Sequence, residues 1–156
     1  MNNVGILKGH DLFRSLGLEK AFEIKDFSSV KKYGANDTVF AYNSAGSHIY
    51  MLMKGSVNLQ LPSKNQEYSL VISKIEIGEL FGLSPLLDSP RYTAAAQCSE
   101  ASEVLAIEAK PFRNLLTENA VIGLNIMNHV AKIYFSRYIN VLRNLQEIAG
   151  QISVIR

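Results

Sequence analysis

The sequence has no tryptophan, a single cysteine, four prolines and a net charge of only +2 over 156 residues. The lone cysteine, Cys98, cannot form a disulfide within the chain, which is typical of proteins from a reducing compartment. No run of eighteen apolar residues occurs, and the N-terminus lacks the charged head, apolar block and cleavage site of a secretory signal. We therefore expect a cytoplasmic protein that does not contact a membrane.

Patterns that indicate catalysis or metal binding are also missing. No Ser–His–Asp order, paired-carboxylate motif or Walker loop is visible, so we expect no catalytic residues and no enzyme. The three histidines, His10, His48 and His129, have no ligand spacing, and no metal site is expected. Lys31 and Lys32 have no interleaved aromatic residues for stacking on bases, so no direct nucleic-acid contact is expected from this chain.

The apolar fraction, 47%, is sufficient for one domain with a core. Residues 1–23 suggest short helices, Ile24–Val30 an extended segment and Lys31–Asp37 a turn. From Thr38 onward, apolar side chains recur at every second position in several short segments, and this period predicts strands. We expect hairpins across the Lys54–Ser56 turn and between Thr93–Cys98 and Ser102–Ile107. Many short, closely spaced strands favour a sandwich or a jelly-roll barrel.

Two helices are predicted after the strands. Pro111 suits the first turn of one helix, and Asn119 is a plausible N-cap for a longer helix that starts at about Ala120. One apolar stripe of the long helix has the spacing of a seam between two helices; it comprises Met127, Ala131, Tyr134, Tyr138, Val141, Leu145, Ile148 and Ile152. A second stripe, expected to pack on the β domain, comprises Ile122, Ile126, Val130 and Ile133. Two stripes need two partners, so we expect a homodimer; the alternative is one wide face buried within the chain.

The stretch 78–98 is the best candidate for a binding site. Gly82 is followed by a short apolar turn in which Pro85 occupies a helix first turn, and Arg91 comes a few residues later. Backbone amides at such a turn attract an anion, and an arginine is able to close over it. The alternative is an ordinary strand, a tight turn and a solvated arginine.

The layout resembles the cyclic-nucleotide-binding domain family. The resemblance covers nearly the whole chain: the segment Ile49–Val57, the cassette from Phe81 and Gly82 to Arg91, the strand Glu103–Ile107, Phe112 and the long C-terminal helix. It implies an α+β, mainly β, fold in which an eight-stranded jelly-roll barrel carries N-terminal helices and a long C-terminal helix. Residues 1–118 would form the jelly roll with its flanking helices, and residues 119–156 the dimerisation helix of the same domain.

The resemblance also implies a pocket for a cyclic nucleotide, cAMP or cGMP, as ligand, with no cofactor. The ligand-binding residues it implies are Gly82, Leu83, Ser84, Leu86, Arg91, Tyr92 and Thr93, with Arg137 and Tyr138 as possible base contacts. The dimer interface expected from the apolar seam of the long helix comprises Met127, Tyr134, Tyr138, Val141, Leu145 and Ile148. Arg91 matches the arginine that pairs with the cyclic phosphate. The chain departs from the family in having Leu83 where a glutamate binds the ribose, Pro85 where an amide N–H is expected, and Tyr92 where a small residue follows the arginine.

The sequence therefore predicts a regulatory domain that senses a cyclic nucleotide or another anionic small molecule and signals to an unknown protein partner through its C-terminal helix. One alternative is a degenerate fold kept as a dimerising protein-interaction module without nucleotide binding. Another is the effector half of a DNA-binding transcription regulator whose helix-turn-helix is not in this sequence.

Overall fold

The computed structural model describes residues 23–65 and 67–151. The short helices expected over residues 1–22, and the seam residue Ile152, lie outside the described residues. In order along the chain, the elements are β1 (Ser28–Tyr33), β2 (Thr38–Phe40), β3 (His48–Lys54), β4 (Val57–Pro62), β5 (Ser69–Ile75), β6 (Leu80–Phe81), a 3-10 helix (Ser84–Leu87), β7 (Ala95–Cys98), β8 (Ser102–Glu108), α1 (Ala109–Glu118) and α2 (Ala120–Gln151).

The eight strands form two four-stranded antiparallel sheets. The first has the order β1-β8-β3-β6 and the second has the order β2-β7-β4-β5. Apart from β4 and β5, which pair with each other in the second sheet, sequential strands alternate between the sheets in the manner of a jelly roll. The predicted fold class, with its long C-terminal helix, is confirmed.

Two of the predicted hairpins are wrong, because the strands they join belong to different sheets. The turn after Lys54 leads from β3 in the first sheet to β4 in the second, and β7 and β8 are divided in the same way. Gly55, with φ +92°, makes the corner, and a Cβ at this position would lie 2.3 Å from the Ser102 hydroxyl. The two corners therefore pack on each other, and only glycine allows that approach.

The start of the described chain also differs from the prediction. Residues 23–26 are helical, and β1 extends through Lys31 and Lys32 to Tyr33, where a turn was expected. The register of β1 against β8 explains this, since Lys32 lies opposite Glu103 and their side chains form an ion pair of 3.5 Å. The turn is confined to the residues after β1, where the Asp37 carboxylate accepts the N–H of Gly34 at 2.7 Å.

Strands β3 and β8 are buried on both faces and so divide the core into two layers. Ile49 and Met51 of β3 pack towards the helices, together with Phe112 of α1. The alternating residues Tyr50 and Leu52 point into the roll between the two sheets. This arrangement explains why β3 is almost continuously apolar in sequence.

Helix α2 packs on the roll through the stripe that was predicted to do so. Ile126, Val130 and Ile133 are buried in the helix-facing core, and Ile122 packs partly against it. Gly123 allows the start of α2 to lie against α1, because a Cβ there would be 2.5 Å from a backbone carbonyl oxygen of α1. In the described ranges, no helix has the combination of length and hydropathy that crossing a bilayer would require.

Candidate functional site

A cavity of about 300 Å³ lies between the second sheet, the segment that follows β6, and α2. This volume is at the lower end of the range found for small-molecule sites. The cavity is lined by Phe40, Leu59, Leu61, Ile72, Ser73, Gly82, Leu83, Ser84, Tyr92, Thr93, Ala94, Tyr134, Arg137, Tyr138 and Val141. The sequence prediction named seven of these positions as ligand or base contacts: Gly82, Leu83, Ser84, Tyr92, Thr93, Arg137 and Tyr138.

The floor of the cavity depends on the conformation of Gly82. Its φ is +64°, and a Cβ there would come within 2.9 Å of the rings of Phe40 and Tyr50. The chain then enters the 3-10 helix, which has proline in its first turn as predicted, and Leu83 and Ser84 are buried against the cavity. Glycine is therefore required both for the backbone angle and for the close aromatic contact.

A stack of aromatic rings forms one wall of the cavity. The rings of Phe40 and Tyr92 are 4.0 Å apart between centroids and nearly parallel at 19°, and Tyr50 and Phe81 continue the group. The Tyr92 hydroxyl donates to the carbonyl oxygen of His48 at 2.7 Å and accepts the His48 amide at 3.2 Å. Burial, followed by a hydrogen bond with Tyr92, raises the pKa of Tyr50, so the Tyr50 phenol stays uncharged. This wall is neutral and rigid.

Helix α2 closes the opposite side of the cavity with Tyr134, Arg137 and Tyr138. The Arg137 guanidinium donates to the Glu79 carboxylate at 3.0 Å and to the carbonyl oxygen of Leu80 at 2.9 Å. The Arg137 side chain is 15% exposed, and its Nε is buried without an acceptor among the described residues. This is the one ion pair that joins α2 to the roll in the described part of the chain. Burial raises the pKa of Tyr134.

Two of the predicted ligand-binding residues are not part of the cavity lining. Arg91 is exposed, and its guanidinium donates to the carbonyl oxygen of Asn43 at 2.7 Å. Leu86 is 5% exposed and packs in the core beneath the helices. Arg91 lies before β7, where its backbone forms an isolated antiparallel bridge with Ala45, and its guanidinium is held at the Asn43 carbonyl away from the cavity lining.

The predicted dimer interface divides into three groups. Met127 packs partly against the core of its own chain, and Tyr134, Tyr138 and Val141 line the cavity. Leu145 and Ile148 are each 56% exposed and have no role in the cavity. Four exposed large apolar residues of α2 lie outside the predicted interface: Val121, Leu124, Phe135 and Leu142. Phe135 and Leu142 belong to a stripe one residue away from the predicted one.

The sequence prediction also missed several cavity residues on or next to the strands, namely Phe40, Leu59, Leu61, Ile72, Ser73 and Ala94. A signal for part of this set was present, because Leu59 and Leu61 alternate with polar residues in β4 and share a face of the second sheet. Sequence alone does not indicate that this face lines a cavity. Among the described residues, no group of three His, Cys, Asp or Glu side chains is placed to hold a metal ion.

Comparison with known proteins agrees with this architecture. The sequence model of the cyclic nucleotide-binding domain matches residues 30–119. The Cyclic AMP receptor protein of Thermus thermophilus is 26% identical over 127 residues, which are 81% of this chain and 58% of that protein. The chain thus spans less than two thirds of the length of this curated relative.

Solved structures show the same fold. A protein of Geobacter metallireducens GS-15, named as a cyclic nucleotide-binding protein, is 25% identical with a TM-score of 0.74, over 88% of this chain and 99% of that one. The sensor domain of the transcriptional regulator DNR from Pseudomonas aeruginosa is 19% identical with a TM-score of 0.71, over 83% and 91% of the two chains. Since the family match covers more than half of the sequence and the strand order and long helix agree with it, the chain belongs to the cyclic nucleotide-binding domain family.

Proposed function

We propose that the chain is a regulatory domain in which a small molecule in the cavity sets the position of α2. The observation that carries the proposal is the composition of the cavity wall, since Tyr134, Arg137, Tyr138 and Val141 all come from α2 and the other lining residues come from the roll. A ligand in this place contacts both bodies at once. Its binding free energy therefore depends on how α2 lies, which is the condition for a ligand to shift a conformational equilibrium.

We expect the change in the position of α2 to break or rearrange the contacts of Arg137. Its bonds to Glu79 and to the Leu80 carbonyl hold the middle of α2 on the roll. Because its Nε has no acceptor among the described residues, the docked state includes an unpaired buried polar group. Such a group weakens the docked state, so modest ligand contacts are sufficient to favour a different position.

A cavity-filling substitution tests the coupling without a ligand. Spin labels at Lys74→Cys on β5 and Glu147→Cys on α2, both exposed positions, report the distance between the roll and the helix. Ala94→Phe places a ring in the cavity and should change that distance. Ala95→Phe is the matched control, because the neighbouring side chain is absent from the cavity lining. Equal distances in the two variants, with both folded, would contradict the coupling.

The exposed end of α2 supports a second part of the proposal, a homodimer. From Val141 to Gln151 every residue of the helix is exposed, and large apolar side chains recur there: Val141, Leu142, Leu145 and Ile148. An isolated segment of this length is marginal as a helix in water, so a covering partner stabilises it. A second copy of the same helix supplies a matching apolar stripe.

The dimer is tested at Leu145 and Ile148, which are exposed and distant from the cavity lining. Replacing both by glutamate should give a monomer in size-exclusion chromatography with light scattering. Gln146→Glu on the same turn is the control for added charge and should leave the dimer intact. An unchanged mass for the double variant would rule out this interface, and a monomeric parent protein would rule out the homodimer.

A further inference from the structure

We propose, building on the sensing role above, that the cavity takes an uncharged, largely apolar ring compound and discriminates against anions, cyclic nucleotides included. The proposal names the ligand class of the same site. It depends on three observations about charge, backbone donors and shape, each independent of the others.

The first observation is that the one cation in the cavity lining is already neutralised by a carboxylate. Arg137 is the single Arg or Lys in the lining, and it is already paired with Glu79 and bonded to the Leu80 carbonyl. Arg91 is exposed, outside the lining, and bonded to the Asn43 carbonyl. An anion entering the cavity would lose its hydration and meet only a cation whose charge Glu79 already neutralises, which is unfavourable.

The second observation is that the row of amides in the turn after Gly82 is interrupted at Pro85, and that amides after it already donate within the turn. Pro85 has no N–H, and the amide of Leu86 already donates to the Leu83 carbonyl at 3.0 Å. The amide of Ser89 donates to the Ser84 carbonyl at 3.0 Å. A phosphate group therefore meets a row of amides that is interrupted at Pro85 and a cation that is already paired with a carboxylate, whereas phosphate sites use free cations and unbroken rows of N–H groups.

The third observation is that the walls match a flat apolar molecule. Phe40 and Tyr92 stack within the aromatic group on the roll, and Tyr134 and Tyr138 face the cavity from α2. The hydroxyls of Ser73, Ser84 and Thr93 provide neutral hydrogen-bonding groups. Mostly apolar walls with a few neutral polar groups select a compound of one or two rings with one or two uncharged polar substituents.

Two probes with the same ring skeleton separate charge from shape. N-phenyl-1-naphthylamine is uncharged, and 8-anilino-1-naphthalenesulfonate adds one sulfonate to the same rings; both increase in fluorescence on entering an apolar site. We expect the uncharged probe to bind saturably with a dissociation constant at least tenfold below that of the sulfonate. We expect no saturable heat from cAMP or cGMP at millimolar concentration in calorimetry.

Matched variants assign the binding to the cavity. Tyr138→Ala should weaken binding of the uncharged probe about tenfold. Phe135 is an exposed aromatic residue on the same helix outside the lining, so Phe135→Ala should leave the dissociation constant unchanged. Glu79→Gln removes the carboxylate that neutralises Arg137, so it should reduce the ratio of the two probes' dissociation constants about tenfold. The proposal is overturned if Tyr138→Ala and Phe135→Ala bind the uncharged probe equally well, or if Glu79→Gln leaves that ratio unchanged.

The outcomes for ligand class and for sensing are distinguishable when the labels at positions 74 and 147 are measured with each compound. If cAMP, cGMP or the sulfonate binds as tightly as the uncharged probe, through Tyr138, and α2 moves, the ligand class is wrong and sensing stands. If the uncharged probe binds through Tyr138 and α2 stays in place, the ligand class stands and sensing is wrong. If no compound shows binding that depends on Tyr138, both are wrong.

Discussion

The contact between Arg137 and Glu79 gives a prediction that is independent of any ligand. Arg137→Met keeps most of the aliphatic length of the side chain and removes the charge, the ion pair of 3.0 Å and the bond of 2.9 Å to the Leu80 carbonyl. Glu79→Gln keeps the shape of the partner, removes its charge and replaces one of its two acceptor oxygens, which bind Arg137 and the Glu76 amide, by an NH2 group. We expect both variants to loosen α2 and to lower the free energy of unfolding.

The magnitude follows from the exposure of the pair. Arg137 is 15% and Glu79 is 27% exposed, so the pair lies between a surface ion pair, which contributes about 0.2–1 kcal/mol, and a fully buried one, whose disruption costs about 3–5 kcal/mol. We expect Arg137→Met to cost about 1–3 kcal/mol. Glu79→Gln exchanges a charge-assisted hydrogen bond for a neutral one and should cost about 1 kcal/mol.

Chemical denaturation and a double-mutant cycle measure these values. The coupling energy between Arg137→Met and Glu79→Gln should be about 1 kcal/mol. Arg143→Met is the control, because this arginine is exposed on the same helix, and its effect should lie within about 0.5 kcal/mol. A zero coupling energy, together with an Arg137→Met effect no larger than the control, would refute the assignment of Arg137 as the contact that holds α2.

Gly123→Ala should lower the free energy of unfolding by about 1–3 kcal/mol, because its Cβ would lie 2.5 Å from the Leu116 carbonyl oxygen. The control Gly150→Ala has open space around the added Cβ and should increase helicity in circular dichroism. Equal denaturation midpoints for the two variants would contradict the close packing of α1 on α2. Burial raises the pKa of the fully buried Cys98 thiol, so it should react with a disulfide reagent only as the protein unfolds; complete labelling within minutes in native buffer would contradict its burial. Burial, and then the charge of Lys31, lowers the pKa of His48 below 6.5 in the folded state. The unfolded state therefore takes up its proton first on acidification, and the free energy of unfolding should fall as the pH drops below about 6.5. A His48→Gln variant with the same pH dependence, or a His48 NMR titration at or above pH 6.5, would contradict this.

Local patterns in the sequence predicted much of the fold. The two-residue period from Thr38 onward located most strands, and the stripe containing Ile126, Val130 and Ile133 identified the face of α2 that packs on the roll. Turn residues such as Gly55 located chain reversals. They did not indicate which sheet the chain enters next, because strand pairing depends on contacts distant in sequence.

The candidate site was predicted less completely, and Arg91 shows why. Its position in the cassette resembles that of a phosphate-binding arginine, but its guanidinium donates to the Asn43 carbonyl, 48 positions away in the sequence. The backbone of Arg91 also forms an isolated bridge with Ala45, which is similarly distant along the chain. The link from Arg137 to Glu79 joins residues 58 positions apart, and no local pattern predicts such a contact.

The most direct test of the coupling between cavity and helix is the distance between labels at Lys74→Cys and Glu147→Cys, measured by pulsed electron paramagnetic resonance. Dilution with unlabelled protein removes distances between subunits, and the buried Cys98 should stay unlabelled. Saturation with N-phenyl-1-naphthylamine should shift the mean distance by about 2 Å or more, and Tyr138→Ala should abolish the shift at the same probe concentration. An unchanged distance in protein that fluorescence shows to be saturated with the probe would contradict the claim that cavity occupancy sets the position of α2.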